Sequence, residues 1–294
     1  MAKCAGQYTL NKGEVERRGR ATTAGHVFRG GCDAKGQRHG QGVERFPQGG
    51  VYKGEYRGNQ RHGRGELLLH DGAHRYVGQF VRGRFHGHGT LTTPAATLEG
   101  QWRDGRLHGR GIITLREGSV FEGEFAAGKR DGRCVCHFAS GMAYSGEWQE
   151  GKRHGYGEQD WPGGLGYRGA WREDRPDGMG VMTYPSGHAE QGRWAGGALA
   201  QACDLAEVEA ALGELQMQAE AAAAAREAAA VQVAAQDAAE RQAEADADAE
   251  DLAAAGLLAP EDGTLSSLST AAPTPMTPAP AAGRRSARPA TAAV

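Results

Sequence analysis

From Phe28 to Leu199 apolar residues fall on alternate positions in short runs, and the runs return every 22–24 residues. The runs YKGEY from Tyr52, YVGQF from Tyr76, LEGQW from Leu98, FEGEF from Phe121, YSGEW from Tyr144 and YRGAW from Tyr167 share one frame. An earlier copy starts at Phe28 with one extra residue before its turn, and a truncated copy, EQGRWAGG, starts at Glu190. Alternation with a period of two marks a strand with one packed face. The first, third and fifth residues share that face and read aromatic, Gly, aromatic, as in Tyr144, Gly146 and Trp148. Glycine weakens a strand unless a neighbour must approach closely. Its presence at the middle position of every copy, Gly30 through Gly192, therefore predicts that aromatic rings of neighbouring hairpins fold over it.

A turn follows each run, at Gly36, Asn59, Gly83, Gly105, Gly128, Gly151, Asp174 and Gly197. Gly, Asn and Asp are the residues that tolerate a left-handed backbone. Four residues on, Gly40, Gly63, Gly87, Gly109, Gly132, Gly155 and Gly178 are all glycine. Short hairpin loops with positive φ explain both positions. A second strand follows, such as GIITL from Gly111, and a further turn such as Glu117-Gly118 or Ser186-Gly187 leads to the next copy.

After Leu199 the pattern changes. Residues 200–259 are rich in Ala, Glu and Gln, which favour helix. Asp204 suits the helix start, and Gly256 with Pro260 marks its end. Leu205, Val208, Leu212 and Leu215 keep heptad spacing, but the continuation through Ala219, Ala222, Arg226 and Ala229 loses its apolar seam. A long independent coiled coil is not expected. The first turns of the arm should dock on the sheet or on a neighbour, and the alanine stripe permits close approach to a larger complex. Residues 260–294 are Pro/Ala/Thr/Ser-rich and read as a disordered tail, with Thr274-Pro275 and Thr277-Pro278 fitting a modification pattern common by chance. The organisation is therefore a partly ordered lead-in over 1–27, a repeat sheet over 28–199, a helical arm over 200–259 and a tail over 260–294.

Composition follows the same division. All 20 aromatic residues lie between Tyr8 and Trp194, so no single core spans both halves. Residues 1–200 carry 29 Lys+Arg against 21 Asp+Glu, whereas residues 201–258 carry 2 Arg against 13 acids. A basic body and an acidic arm point to charge-selected partners, or to the arm folding back on the body. The five cysteines, Cys4, Cys32, Cys134, Cys136 and Cys203, are odd in number and irregular in spacing, so no disulfide framework is implied. The start, MAKCAGQYTL, lacks a signal-type apolar stretch, and an intracellular, soluble chain is expected.

Several motifs suggest chemistry. Gly123 to Lys129 and Gly146 to Lys152 both fit GxxxxGK, but Arg130 or Arg153 follows instead of the Ser/Thr that would hold magnesium, and no helix follows. His39, His62, His86, His108 and His154 form a ladder whose rungs stand two strands apart, about 9–10 Å, too far to share one zinc ion. Asp131 and Asp177 replace His in other copies, which suits a hydrogen bond to the turn backbone. Cys134 and Cys136 lack a second cysteine pair to complete a tetrahedral site. No catalytic, cofactor or metal residue is assigned, and the chain is not expected to be an enzyme. Arg38, Arg61, Arg84, Arg106, Lys129, Arg130, Lys152, Arg153 and Arg175 cluster at the turns as a basic ridge. The ridge serves solubility and edge protection, or attracts an anionic partner, with Arg61, Arg106, Lys129 and Lys152 as candidate contacts.

These copies resemble the MORN repeat, with its YEGEWxxGKxHGxG pattern, over about 170 residues. Departures are Leu98 and Glu190 at the first aromatic and Cys134 at a glycine, and those rungs should pack less well. The resemblance implies a mainly β fold, an elongated single-layer antiparallel sheet of tandem hairpins. It also implies a non-enzymatic scaffold making protein contacts in a large cytoskeletal assembly. MORN proteins are frequent in ciliary and flagellar axonemes, including radial-spoke heads. Tyr52, Tyr56, Trp102, Tyr144, Trp148, Tyr167 and Trp171 on the sheet, and Leu205, Val208, Leu212 and Leu215 on the arm, are the candidate protein contacts. The alternatives are a peripheral membrane adaptor that binds acidic phospholipids through the ridge, and a regulatory appendage of a separate enzyme. Self-association is left open, and no nucleic-acid partner is expected.

Overall fold

A computed structural model describes residues 4–10, 14–19, 26–69 and 72–254. The tail expected over 260–294, with Thr274 and Thr277, lies outside the described residues. Strands β1 (Cys4–Leu10) and β2 (Glu14–Gly19) precede the repeats. The repeat hairpins begin with β3 (Val27–Cys32) and β4 (Arg38–Arg45), β5 (Val51–Arg57) and β6 (Gln60–Leu69), and β7 (His74–Val81) and β8 (Arg84–Thr92). They continue with β9 (Ala96–Arg103) and β10 (Arg106–Leu115), β11 (Val120–Ala126) and β12 (Lys129–His137), and β13 (Ala143–Gln149) and β14 (Lys152–Asp160). The last are β15 (Gly166–Arg172) and β16 (Arg175–Thr183), and β17 (Ala189–Ala195) and β18 (Ala198–Ala202).

Each strand pairs antiparallel with the next, from β1–β2 to β17–β18, in a single open sheet. The mainly β architecture read from the repeats is thus the observed one. The long helix α1 (Leu205–Ala254) follows. The chain divides into two compact units at Gln236, and the first contains the sheet and α1 up to that residue.

Local geometry explains the hairpins. Their turns hold two consecutive residues at positive φ, such as Arg82 (49°) with Gly83 (81°) and Glu173 (49°) with Asp174 (67°). This pair matches the right-handed twist of the flanking strands. The glycine four residues on serves a bulge. At Gly155, φ is 58° and the β13–β14 register slips between Gly146 and Glu147. The carboxylate of Glu147 folds into the gap and accepts the Tyr156 N–H at 2.9 Å, where a Cβ on Gly155 would fall.

The middle glycines line up across the sheet. Gly146 pairs with Gly157, and Gly157 with Gly169. From Gly30 to Gly192 this row is glycine at every strand except at Cys134. The ring over the glycine pairs that begin at Gly30, Gly54, Gly78, Gly146 and Gly169 does not come from a neighbouring hairpin, which is where the sequence reading put it. It is the first aromatic of the same strand: a Cβ on Gly146 would lie 2.6 Å from Tyr144 Oη and 2.5 Å from Gly157 Cα. The ring lies flat along its own strand because its hydroxyl donates to the carbonyl three residues on, Tyr144 to Glu147 at 3.1 Å and Tyr52 to Glu55 at 2.9 Å.

The core is the stack of these rings. Phe28, Tyr56, Tyr52, Phe80, Tyr76 and Trp102 meet edge-to-face with centroids 5.0–5.5 Å apart. Trp148, Tyr144, Trp171, Tyr167 and Trp194 repeat the arrangement. Leu98 interrupts it, and buried Leu107 lies against Gly111 in place of a ring.

Candidate functional site

The sheet offers three surfaces: the ring face, the opposite face and the edge of stacked turns.

On the ring face the seven sheet aromatics named as contacts, Tyr52, Tyr56, Trp102, Tyr144, Trp148, Tyr167 and Trp171, are each at most 4% exposed. They are internal packing and not a surface, because each ring meets another ring of the stack. Indole N–H groups are satisfied within the stack: Trp102, Trp171 and Trp194 donate to the carbonyls of Gly89, Gly157 and Gly180. Trp148 Nε1 is buried without a partner among the described residues, and the matching backbone position there is Cys134, the one departure from glycine. The rung loses a hydrogen-bond partner there, while Cys134 and Trp148 stay buried, at 2% and 4% exposed. Burial raises the tyrosine hydroxyls above their ordinary range, and for Tyr56 the carboxylate of Glu44 adds to it.

The ring face is closed from outside by a side chain that sequence reasoning missed. The second residue after each turn lies over the stack. Arg38, Arg61, Arg130 and Arg153 place their guanidinium groups over pairs of rings, Arg130 at 3.7 Å from the Trp148 centroid and Arg153 at 4.2 Å from Trp171. At the same place in other hairpins, Phe85 stacks on Tyr76 at 3.7 Å and Leu107 is buried. The readable signal was the set of residues at this position: Arg, Phe and Leu, along with Pro176, can all lie flat on a ring.

This changes the basic ridge. Arg61, a candidate anion contact, is committed to Tyr52 and Phe80. Lys152 is paired with Glu173. Arg106 and Lys129 are exposed. Acids interleave at the same edge: Arg84 pairs with Asp104 at 3.5 Å and Arg153 with Asp174 at 3.2 Å. The turns are also tied to one another. The N–H of Gly83, Gly105, Gly128 and Gly151 each reaches the carbonyl of the preceding hairpin's capping residue at 2.8–2.9 Å. The His/Asp ladder joins in at two rungs, where His108 Nδ1 accepts from Ala127 N–H at 3.4 Å and Asp131 from Glu150 N–H at 3.1 Å, whereas His154 Nδ1 is buried without a partner among the described residues. Burial and nearby Arg103 hold His108 below the usual histidine range.

The cysteines are equally structural. Cys134 and Cys136 are buried free thiols, and burial pushes the Cys134 thiol up to about 12. Its S–H donates to the Glu124 carbonyl at 3.3 Å. A thiol held protonated is a poor nucleophile or metal ligand. Cys32, by contrast, is disulfide-bonded, which its irregular spacing along the chain did not announce.

On the opposite face α1 docks on its own sheet. Val208 and Leu212 are buried with Val181, against Tyr156, Met179 and Cys203. Ala219 is also buried, at 3%, so the alanine stripe serves close approach to this chain's own strands. Leu205 is 48% exposed at the first helical turn and Leu215 is half-buried, so only Val208 and Leu212 of the four predicted arm contacts form the seat. Polar pairs flank the seat: Arg168 on β15 with Glu209, Arg226 with Glu124 on β11, and Arg110 on β10 with Glu227 at 3.0 Å. The acidic arm thus crosses the strands on a basic sheet. Beside its start lies an open depression of about 370 Å³ lined by Glu158, Asp160, Trp161 and Arg168, the last already held by Glu209.

Comparison with known proteins matches these features. The MORN repeat family model matches seven times, at residues 34–51, 52–74, 76–95, 99–120, 121–143, 144–166 and 167–189, more than half of the chain. No curated protein matches the chain. Among solved structures, the SAS-4 (dCPAP) TCP domain of Drosophila melanogaster, in complex with a proline-rich motif of Ana2, is 14% identical. It covers 57% of this chain and 90% of that one, with a TM-score of 0.33. A variant of the TCP10 domain of Danio rerio CPAP is 15% identical over 60% of this chain and 98% of that one, with a TM-score of 0.25.

Proposed function

Because the chain belongs to the MORN repeat family, we propose that it is a non-enzymatic scaffold that joins proteins within a large cytoskeletal assembly. MORN repeats commonly mediate protein or membrane contacts. The observation that carries the choice between them is how the side chains are used. The aromatics and Arg38, Arg61, Arg130 and Arg153 are spent on a stack that ties each hairpin to the next. What remains for partners is the opposite face, a broad surface of mixed charge on a regularly spaced sheet. A membrane-binding ridge is weakened by the acids Asp104, Glu150, Glu173 and Asp174 at the same turns. The resemblance to axonemal MORN proteins points to a cilium or flagellum, with the radial-spoke head as one such assembly.

Co-sedimentation tests this reading. The chain should pellet with a salt-washed, detergent-extracted cytoskeletal fraction and leave acidic vesicles unbound. Release with the detergent, together with tight vesicle binding lost on Arg106→Glu with Lys129→Glu, would favour the phospholipid adaptor.

A further inference from the structure

The cation–ring contacts of the stack use the flat faces of the capping guanidinium groups and leave their in-plane N–H groups to donate elsewhere. In two hairpins a residue of the next turn takes them. Asp174 Oδ1 accepts the Arg153 main-chain N–H at 3.0 Å and its Nε–H at 3.2 Å, and the Asp174 carbonyl accepts from Nη2 at 2.9 Å. Asn59 stands in the same place beside Arg38, with Oδ1 2.9 Å from the main-chain nitrogen and its carbonyl 3.0 Å from Nη2. Glu44 and Gln159 complete the two sets, each accepting from Nη1. Arg130 and Arg61 lie over rings in the same way, but the next turn holds a glycine, Gly151 and Gly83. A Cβ on either glycine would meet nothing within 4 Å, so there is room beside both arginines for the group that Asp174 supplies to Arg153. The guanidinium of half-buried Arg130 keeps only long contacts, to the Gly151 carbonyl at 3.4 Å and Cys136 Sγ at 3.9 Å. Neither Arg130 nor Arg61 has a carboxylate partner among the described residues.

We propose that Arg130, and Arg61 by the same geometry, dock the carboxylate of an aspartate or glutamate side chain on a partner protein. The repeat carries the argument. Arg130, Arg61 and Arg153 hold the same register, opposite Phe125, Tyr56 and Trp148. The donors that meet Asp174 at Arg153 therefore converge beside Gly151 and Gly83 as well. A main-chain N–H and a guanidinium fork aimed at one spot bind a carboxylate through charge-assisted hydrogen bonds, and the rings beneath hold the fork in place beforehand. Asp174 shows that a carboxylate fits this geometry. The acids Glu150 and Glu173, exposed at the neighbouring turns, oppose an extended anionic surface but admit a single side chain. The contact rests on the scaffold reading for its partner's being a protein, and adds to it a site at the turn edge.

A fluorescein-labelled oligoglutamate peptide is the probe, titrated into the full-length chain by anisotropy at low salt. Saturable binding is expected. Gly83→Asp with Gly151→Asp supplies the carboxylate from the chain itself and should weaken the peptide tenfold or more. Gly105→Asp with Gly128→Asp adds the same charge at the same backbone conformation, φ 81–89° at all four glycines, but beside Phe85 and Leu107. This second pair should leave binding unchanged. The first pair should also melt higher than the second, because only there does the new carboxylate meet a guanidinium. Arg61→Met with Arg130→Met keeps an apolar cap on the rings and should lose the peptide too, a check that does not depend on the turn variants folding. Equal losses in the two glycine pairs would reduce the binding to diffuse charge and overturn the proposal. So would the absence of saturable binding, or equal melting temperatures of the two pairs. Displacement of the peptide by inorganic phosphate but not by acetate would assign the fork to phosphate groups instead. The cytoskeletal co-sedimentation is independent of this titration, so the scaffold reading and this contact can fail separately.

Discussion

Gly146 shows how a missing side chain organises this molecule. The space above it belongs to Tyr144, and the space beside it to Gly157, so even a methyl group would meet backbone at 2.5 Å. Gly146→Val should cost about 3 kcal/mol, the upper end for overpacking, because the Tyr144 ring must leave its seat and lose its bond to the Glu147 carbonyl. Ser145→Val, one residue away on the exposed side, should change stability by no more than about 0.5 kcal/mol. Chemical denaturation of both variants checks the contrast, and equal effects would remove the ring-over-glycine account. Arg130 makes the complementary point: a guanidinium 3.7 Å from the Trp148 ring is a packing residue that is also charged. Arg130→Met keeps the stem and removes the cation, and should cost about 1 kcal/mol. Counting it as free surface charge predicts no loss.

At the scale of the hairpin, the turns carry a tension between local preference and repetition. Ala127 adopts φ 50° ahead of Gly128, a left-handed conformation that disfavours alanine. Ala127→Asn should therefore stabilise the chain by about 0.5–1 kcal/mol, seen as a higher melting temperature. The turns also respond to acid. His108 accepts the Ala127 N–H only when its ring is neutral, and its pKa is depressed in the folded chain. Its contribution is then fully present above the unfolded value of 6.5 and is lost as pH falls through the lower folded value. A melting series across that window should fall more steeply for the wild type than for His108→Asn. Parallel curves would mean that His108 is not coupled to the turn.

For the unit that ends at Gln236, the question is what holds α1 to the sheet. The ion pairs are exposed, Arg110 and Glu227 by more than half, and such pairs contribute about 0–1 kcal/mol each, screened by salt. Val208, at 0% exposure, and Leu212, at 3%, are worth more, about 1.5–3 kcal/mol each for full burial. The apolar seat therefore decides docking. Val208→Asp should raise amide exchange over residues 205–226 to that of a free helix while the strands keep their protection, whereas 1 M salt alone should not. Release by salt in the wild type would reverse this ranking.

The sequence by itself determined the hairpin, because everything about it is local. Spacing placed the strands, and the choice of Gly, Asn or Asp at the turns announced positive φ before any coordinate. Even the mainly β fold follows from the period of two. Only the tertiary structure decided who touches whom. The ring that covers Gly146 comes from its own strand, Arg153 belongs to Trp171 of the next hairpin, and the arm returns to Val181 and not to a neighbour. The physical reason is that alternation says which residues share a face and nothing about what lies over that face. An aromatic run reads the same whether its rings meet solvent, a partner or one another, and that choice is made by register and packing across strands distant in the chain.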